Sequence, residues 1–241
     1  DISNPLNPYI CDSVDLPSTC LDVAVTTVDA QVFAYTATRN WGVSYIDVTN
    51  PPFIQYIGHS LYPSMAGNNA IGIDIANDHI YVADTNNGLE IFSISGGGTL
   101  SSRGSYNPGS DQAFDVSVTG TNACVAFIGS GLVVVDVSNP SSPSSSKSYG
   151  TVDSLHAVGA SGNYAYIVDD GQFISVDITQ VSLSISGSCT LDVTVEDITV
   201  SGNYAYVTGE GIHIIDVSDP TSPAIIGSQN TSGDSTGVDT D

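Results

Sequence analysis

Basic side chains are almost missing from this sequence. Arg39, Arg103 and Lys147 are the whole complement in 241 residues, against 26 Asp and Glu, leaving a net charge of −23 at neutral pH. Phosphate-bearing partners are repelled by such a chain, so nucleic acid and anionic membrane surfaces are disfavoured. Divalent cations and basic partners are favoured instead. No apolar run reaches the ~20 residues of a membrane-spanning helix, so no membrane insertion is expected. The absence of CxxC argues against a zinc ribbon. HExxH, GxSxG and P-loop motifs are also missing, and with them the common signatures of metalloprotease, hydrolase and nucleotide chemistry. No segment carries a helical apolar period. The sequence opens without Met or a charged, apolar leader and reads as a mature or trimmed product.

Hydrophobic residues make up 41% of the chain, so it folds rather than remaining an acidic tail. Charged residues are only 12%, which leaves the surface to Ser, Thr, Asn and Gly. Of the four cysteines, Cys11 and Cys20 flank "DSVDLPST", a short Pro-containing loop expected to close as a disulfide. Cys124 and Cys189 are a second candidate pair, although Cys124 reads equally well as a small buried hydrophobe. "NTS" at Asn230 matches a glycosylation sequon. Together these features place the protein outside the cytoplasm, extracellular or at a cell surface.

Self-similarity is the dominant signal. Units begin at Asp22, Asp74, Asp115, His156, Asp197 and Asp239, at spacings of 52, 41, 41, 41 and 42 residues. Each opens with a short alternating run ("LDVAV", "GIDIA", "FDVSV", "LHAVG", "EDITV"). A second run follows ("FAYTA", "IYVAD", "ACVAF", "YAYIV", "YAYVT"). After a Gly comes a third ("VSYIDV", "LEIFSI", "LVVVDV", "QFISVDI", "IHIIDV"). Three units then turn at Pro, and all five add a fourth run such as "AIIGS". Four short β-prone runs per ~40 residues are the pattern of propeller blades, and the nearly continuous apolar third run fits a strand covered on both faces. The expected fold is all-β: one β-propeller domain over residues 1–241, with five complete four-stranded blades.

"GNYAYV…GIHIIDVSDPTSP" and "GLVVVDVSNPSSP" resemble the LVIVD-repeat family, β-propeller units of secreted and surface proteins of microbes. The resemblance covers about Cys20 to Ser228. It implies fold and location, and it brings no common catalytic motif. Residues 1–20 read as an outer strand plus the stapled loop, because "NPYICDS" is similar to a fourth run. Residues 229–241 read as a partial repeat, because "STGVDTD" is similar to a first run. A sixth blade is expected if the chain continues.

The first run of a blade lines the central channel. Asp22, Asp74, Asp115, His156, Asp197 and Asp239 are therefore expected at one level, as a ring. Ionised carboxylates ~8 Å apart repel by about 2 kcal/mol at an effective dielectric of 20. They need a cation such as Ca²⁺ among them, or raised pKa values, or backbone N–H partners from the next blade. The last is the expected arrangement, with an ion or ligand site as the alternative and His156 as a pH-sensitive break in the ring. Asp47, Asp136, Asp177 and Asp216, at the ends of third runs, are assigned to turn capping. Tyr35, Tyr81, Tyr166 and Tyr206 are assigned to packing between blades. "DTNNGLE" and "GDSTGVDTD" are Asp-rich loops with calcium-loop composition but not EF-hand spacing. His59, His79 and His213 show no metal spacing, and "GGGT" at residues 96–99 lacks the helix a phosphate cradle needs. Ser–His–Asp sites form in space rather than in sequence, so a dispersed one stays open.

The expected function is a non-enzymatic structural or interaction module. Its partners are proteins or copies of itself, pairing through terminal strands into a filament or surface layer. The alternative is a ligand- or calcium-binding, or hydrolytic, propeller with its site in the acidic channel. Halophilic adaptation is a third reading, opposed by the modest charged fraction.

Overall fold

A computed structural model describes all residues except 1–3, 5, 61–68, 110, 152–154, 192, 232, 234 and 241. Among the described residues, twenty strands follow one another along the chain. Blade 1 holds β1 (Cys20–Val28), β2 (Gln31–Thr38), β3 (Gly42–Asp47) and β4 (Gln55–Ser60). Blade 2 holds β5 (Ala70–Ala76), β6 (His79–Asp84), β7 (Gly88–Ile94) and β8 (Leu100–Tyr106). Blade 3 holds β9 (Ala113–Thr119), β10 (Asn122–Phe127), β11 (Gly131–Asp136) and β12 (Ser144–Tyr149). Blade 4 holds β13 (Val158–Ser161), β14 (Tyr164–Asp169), β15 (Gln172–Asp177) and β16 (Ile185–Thr190). Blade 5 holds β17 (Val195–Ser201), β18 (Tyr204–Gly209), β19 (Gly211–Asp216) and β20 (Ala224–Asn230).

Each blade is an antiparallel sheet in sequence order, as short strands joined by tight turns require. The first hairpins of blades 1 and 2 turn through two residues of positive φ, Asp29–Ala30 and Asn77–Asp78, the backbone a two-residue hairpin demands. The third and fourth strands of every blade slip register at the same place, after Tyr45, Ile91, Val134, Ser175 and Ile214.

The core consists of layers between blades. Tyr35 and Val43 of blade 1 pack against Ile73, Val82 and Phe92 of blade 2. Ile91 meets Val116, Val125 and Val133 in the next layer. Val134 meets Val158, Ile167 and Ile174, and Tyr166 meets Ile198, Val207 and Ile215. Every middle blade thus buries both faces, which is why the third runs are apolar throughout. The expected β-propeller architecture is the one observed.

The expected Cys11–Cys20 disulfide is corrected: none of the four cysteines is bridged. Cys20 opens the innermost strand. Asp12, beside Cys11, accepts the Ile54 N–H at the foot of the outermost strand, at 3.0 Å. The two cysteines therefore lie towards opposite corners of blade 1. Three strand spacings, ~14 Å, separate inner from outer strand, far beyond disulfide reach. Cys124 and Cys189 are also unbridged, because the sheet of blade 4 stands between the layers they occupy. No strand forms among the described residues before Cys20. Thiol-specific labelling of the native protein should modify exposed Cys11 and Cys20 and spare Cys124, which is fully buried with its thiol pushed up to about 12. Recovery of a Cys11–Cys20 peptide after non-reducing digestion would contradict this arrangement.

Candidate functional site

Pairing within the blades fixes which residues share a level around the channel. Asp47, Ser93, Asp136, Asp177 and Asp216, at or next to the ends of the third strands, pair with Phe33, His79, Asn122, Tyr164 and Tyr204 in blades 1 to 5. Four residues further along the second strand stand Ala37, Ala83, Ala126, Val168 and Thr208. These face Asp22, Gly72, Asp115 and Asp197 in blades 1, 2, 3 and 5; in blade 4, Val158 pairs with Ile167, which sets Ala157 opposite Val168. The single-level ring is thereby corrected. Asp74 lies two residues beyond the level of Asp22. His156 lies one residue before it, exposed, with its ring edge-on to Phe114 at 4.9 Å. Acidic and small residues alternate at this level; the innermost strands of blades 1, 2, 3 and 5 all bulge just before it, so the backbone register is shared and the blade 2 acid simply stands two residues further along β5.

The upper level is a collar. Asp22 accepts the N–H of Val23 at 2.7 Å and that of Ile73, in the next blade, at 2.8 Å. Asp115 accepts Val116 at 2.7 Å and Val158 at 2.8 Å. Asp197 accepts Ile198 at 2.7 Å and Val238 at 2.8 Å. Three carboxylates thus satisfy six channel-facing amides on six chain segments, each acid bridging two neighbours. One level down, Asp74 bridges Ile75 (2.6 Å) and Val118 (2.6 Å), and the Ser117 hydroxyl accepts the Ala160 N–H at 3.0 Å. Asp239 is exposed at this lower level and accepts the Thr240 N–H at 2.7 Å.

Small residues between the acids are part of the device. A Cβ on Gly72 would lie 2.9 Å from both Cα and Oδ1 of Asp115. Gly72→Ala should therefore lower unfolding free energy by about 1–3 kcal/mol in urea titration. A neutral result would mean that blades 2 and 3 pack less closely than described.

The collar is an uncomfortable place for charge. Burial pushes Asp22 up to about 6, against the pull of its two N–H bonds, and Asp197 and Asp239 add repulsion. Burial likewise raises Asp74 and Asp197, and Asp239 opposes ionisation of both. Asp115 stands well above the carboxylate range, through burial first and then the neighbouring charges of Asp197 and Asp22. Hydrogen-bond donors favour the carboxylate, but desolvation outweighs them here.

The other candidates separate cleanly. Asp47, Asp136, Asp177 and Asp216 each accept the N–H two residues on at 2.9 Å, and each is held below its ordinary range by that turn. Tyr35, Tyr81 and Tyr166 are buried between blades, with the Tyr35 hydroxyl donating to Gly98 O at 2.9 Å. Tyr206 is half-buried. His59 meets the Tyr56 hydroxyl at 2.8 Å and His79 donates to Asn77 O at 2.7 Å, so neither joins the channel. His213 sits on β19, away from it. In "DTNNGLE", Asp84 is turned onto the N–H groups of Asn69, Asn86 and Asn87. In "GDSTGVDTD", Asp234 and Asp241 lie outside the described residues. Asn230 is exposed at the end of β20. Among the described residues, no three His, Cys, Asp or Glu side chains are placed to hold one metal ion.

Two features escaped sequence reasoning. Glu90 is buried, with its carboxyl pushed up to about 7 by desolvation and by Asp84. The only sequence signal was an acid inside an apolar third run. Ser117 acts as a lower-level bridge, and nothing in its neighbourhood marks it.

The fold is shared widely. Apo AztD from Citrobacter koseri superposes with a TM-score of 0.56 at 14% identity, over 95% of this chain and 64% of that one. This chain thus spans less than two thirds of AztD. A putative 6-phosphogluconolactonase from Bacteroides fragilis gives 0.65 at 14%, over 90% and 73%. The computationally designed Ika8 protein gives 0.56 at 9%, over 84% and 72%. At these identities the likeness is one of fold alone. No curated protein matches the chain. The LVIVD repeat matches residues 67–107, 110–151, 156–190 and 194–231, blades 2 to 5 in turn and well over half of the sequence. With its register, inter-blade layers and Pro turns repeated at that period, the chain belongs to the LVIVD repeat family.

Proposed function

We propose that this propeller is a non-enzymatic structural or interaction module that works outside the cytoplasm and assembles with partner proteins or with copies of itself. One observation carries the reading: each of the acids that most resembled a reactive cluster is bound through one oxygen to the N–H of the residue after it and through the other to an N–H of the neighbouring segment. A carboxylate so engaged closes a ring rather than activating a nucleophile. The scarcity of Lys and Arg supports an extracellular setting, since it leaves trypsin-like proteases three side chains to recognise. Immunolocalisation and fractionation of the source cells, with light scattering across a concentration series, test the proposal. Surface or secreted material that grows into assemblies is expected. A cytoplasmic protein that stays monomeric throughout would overturn it.

A second reading places a cation or small ligand in the channel. It is favoured by a cavity of roughly 240 Å³ lined by Asp22, Asp74, Asp115, Asp197 and Asp239. On this reading calcium raises the melting temperature, and Asp115→Asn with Asp197→Asn removes the rise. Indifference to calcium and chelator would end the metal version.

A further inference from the structure

Among the described residues, no hydrogen bond reaches the carboxyl of Glu90, although the residue is only 4% exposed. It pairs across the sheet with Val82, which belongs to the layer between blades 1 and 2, and cross-strand partners share a face. Glu90 therefore points at blade 1, from the register place that Val133 and Ile174 fill in blades 3 and 4. Ala37 and Val43 of blade 1 and Ala70 and Phe92 of blade 2, all 0% exposed, make up the same layer. An acid thus stands in an apolar joint with no donor to meet it.

The charged and titratable groups around it bring no relief. Asp84 lies two residues along β6 from Val82, on the same face, and accepts the N–H groups of Asn69, Asn86 and Asn87 at 2.7, 2.8 and 2.9 Å. From blade 1 come Tyr35, whose hydroxyl donates to Gly98 O, and Tyr45. Arg39 is exposed at the rim, its backbone bridged to Asn69. The opposite face of blade 2 takes the rest: Asp74 pairs there with Tyr81, and His79 with Ser93. Arg103 of β8 is drawn to that face too, donating from Nε to Ser93 Oγ at 2.9 Å. Burial first, and then the charge of Asp84, push the Glu90 carboxyl up to about 7. Below that value a neutral side chain is tolerated in the layer. Above it, a charge without a partner stands beside another of the same sign.

We propose that Glu90 is a proton-operated latch on the joint between blades 1 and 2: protonated, it lets the joint close dry; ionised, it draws water in and parts β2–β3 from β6–β7. Two ties bound the opening. Asp22 holds the Ile73 N–H at the hub, and the Tyr35 hydroxyl holds Gly98 O in the turn after β7. The joint therefore loosens between them while the blades stay attached. The closed form is favoured most below about pH 4 and loses that advantage as pH rises through about 7. The latch goes beyond the reading of the protein as a structural module and does not depend on it.

A thiol reporter tests it. Val43→Cys places one in the joint, and Cys124, 0% exposed between blades 3 and 4, is the internal control. Labelling is followed peptide by peptide, each rate divided by that of an unstructured peptide at the same pH. With a solvated glutamate at ~4.3, linkage gives roughly thirtyfold more opening at pH 8.5 than at pH 5.5. The reporter should show a rise of at least about tenfold and Cys124 none, and adding Glu90→Gln should remove the rise. Urea unfolding of Glu90→Gln alone gives a reporter-free reading: its stability relative to wild type should be greater at pH 8.5 than at pH 5.5. A labelling rate indifferent to pH, or a rise that persists undiminished with Glu90→Gln, would overturn the proposal. So would a stability difference equal at the two pH values.

Discussion

Mild acid should stabilise this protein: the melting temperature is expected to rise as pH falls from 7.5 to about 4.5. The cause is the collar. Asp22 titrates at about 6 in the folded ring, against ~3.9 in an unfolded chain. Between those values the native state holds a proton that the unfolded state has released. The contribution is therefore fully present below about 4 and is lost as pH rises through about 6, amounting to ~3 kcal/mol for this one group. Asp74, Asp115 and Asp197 are displaced in the same direction. The turn-capping carboxyls Asp47, Asp136, Asp177 and Asp216 are displaced downward, as is Asp219, which accepts the Thr221 N–H in the Pro turn of blade 5, so their contribution is lost only at lower pH. Stability should thus peak in mild acid and decline on both sides. Scanning calorimetry at half-unit intervals checks the profile, and Asp22→Asn should flatten its limb between pH 4 and 6. A melting temperature falling steadily from pH 7.5 to 4.5 would show that the collar acids are solvated.

Asp115→Ala should be the most damaging collar substitution. It leaves the N–H groups of Val116 and Val158 without an acceptor, at about 1–3 kcal/mol each, across the joint between blades 3 and 4. The loss should be larger at pH 5 than at pH 7.5, because the wild-type carboxyl is already penalised where it ionises. Asp115→Asn keeps one acceptor and turns an NH₂ towards the other donor, so it should fall between wild type and Ala. Asp136→Ala, at a surface turn, should cost much less. Urea unfolding at both pH values separates these outcomes. A loss below about 1 kcal/mol for Asp115→Ala would mean the acid does not clamp the two blades.

The repeat period, the Gly and Pro punctuation and the doubly apolar third runs make the blades legible in the sequence. Register was harder to read. Asp74 lines up with Asp22 in the sequence, yet the backbone places Gly72 at that level. A shift of two residues leaves a side chain on the same face of a strand, so alternation cannot detect it. His156 shows the one-residue case: Ala157 takes the collar level, and the imidazole moves out to solvent. The cysteines failed for a different reason. Nine residues of extended chain cover ~30 Å, so closeness in sequence places no bound on distance across a blade. Blade 1, outside the family matches, carries Thr36 and Ser44 where blades 3 and 4 carry Val125, Val133, Ile167 and Ile174.

The collar also divides the propeller mechanically. Asp22 ties β1 to β5, Asp115 ties β9 to β13, and Asp197 ties β17 to residues 237–240, so the hub is three clasped couples of staves. Asp74 lashes the first couple to the second. Between the second and third, Gly159 meets Val200 and Ile198 by close packing, with no bridging side chain at the hub among the described residues. Strain applied to the barrel should therefore part the β13–β17 seam before any of the clasped ones, leaving blades 1 to 4 together as one block.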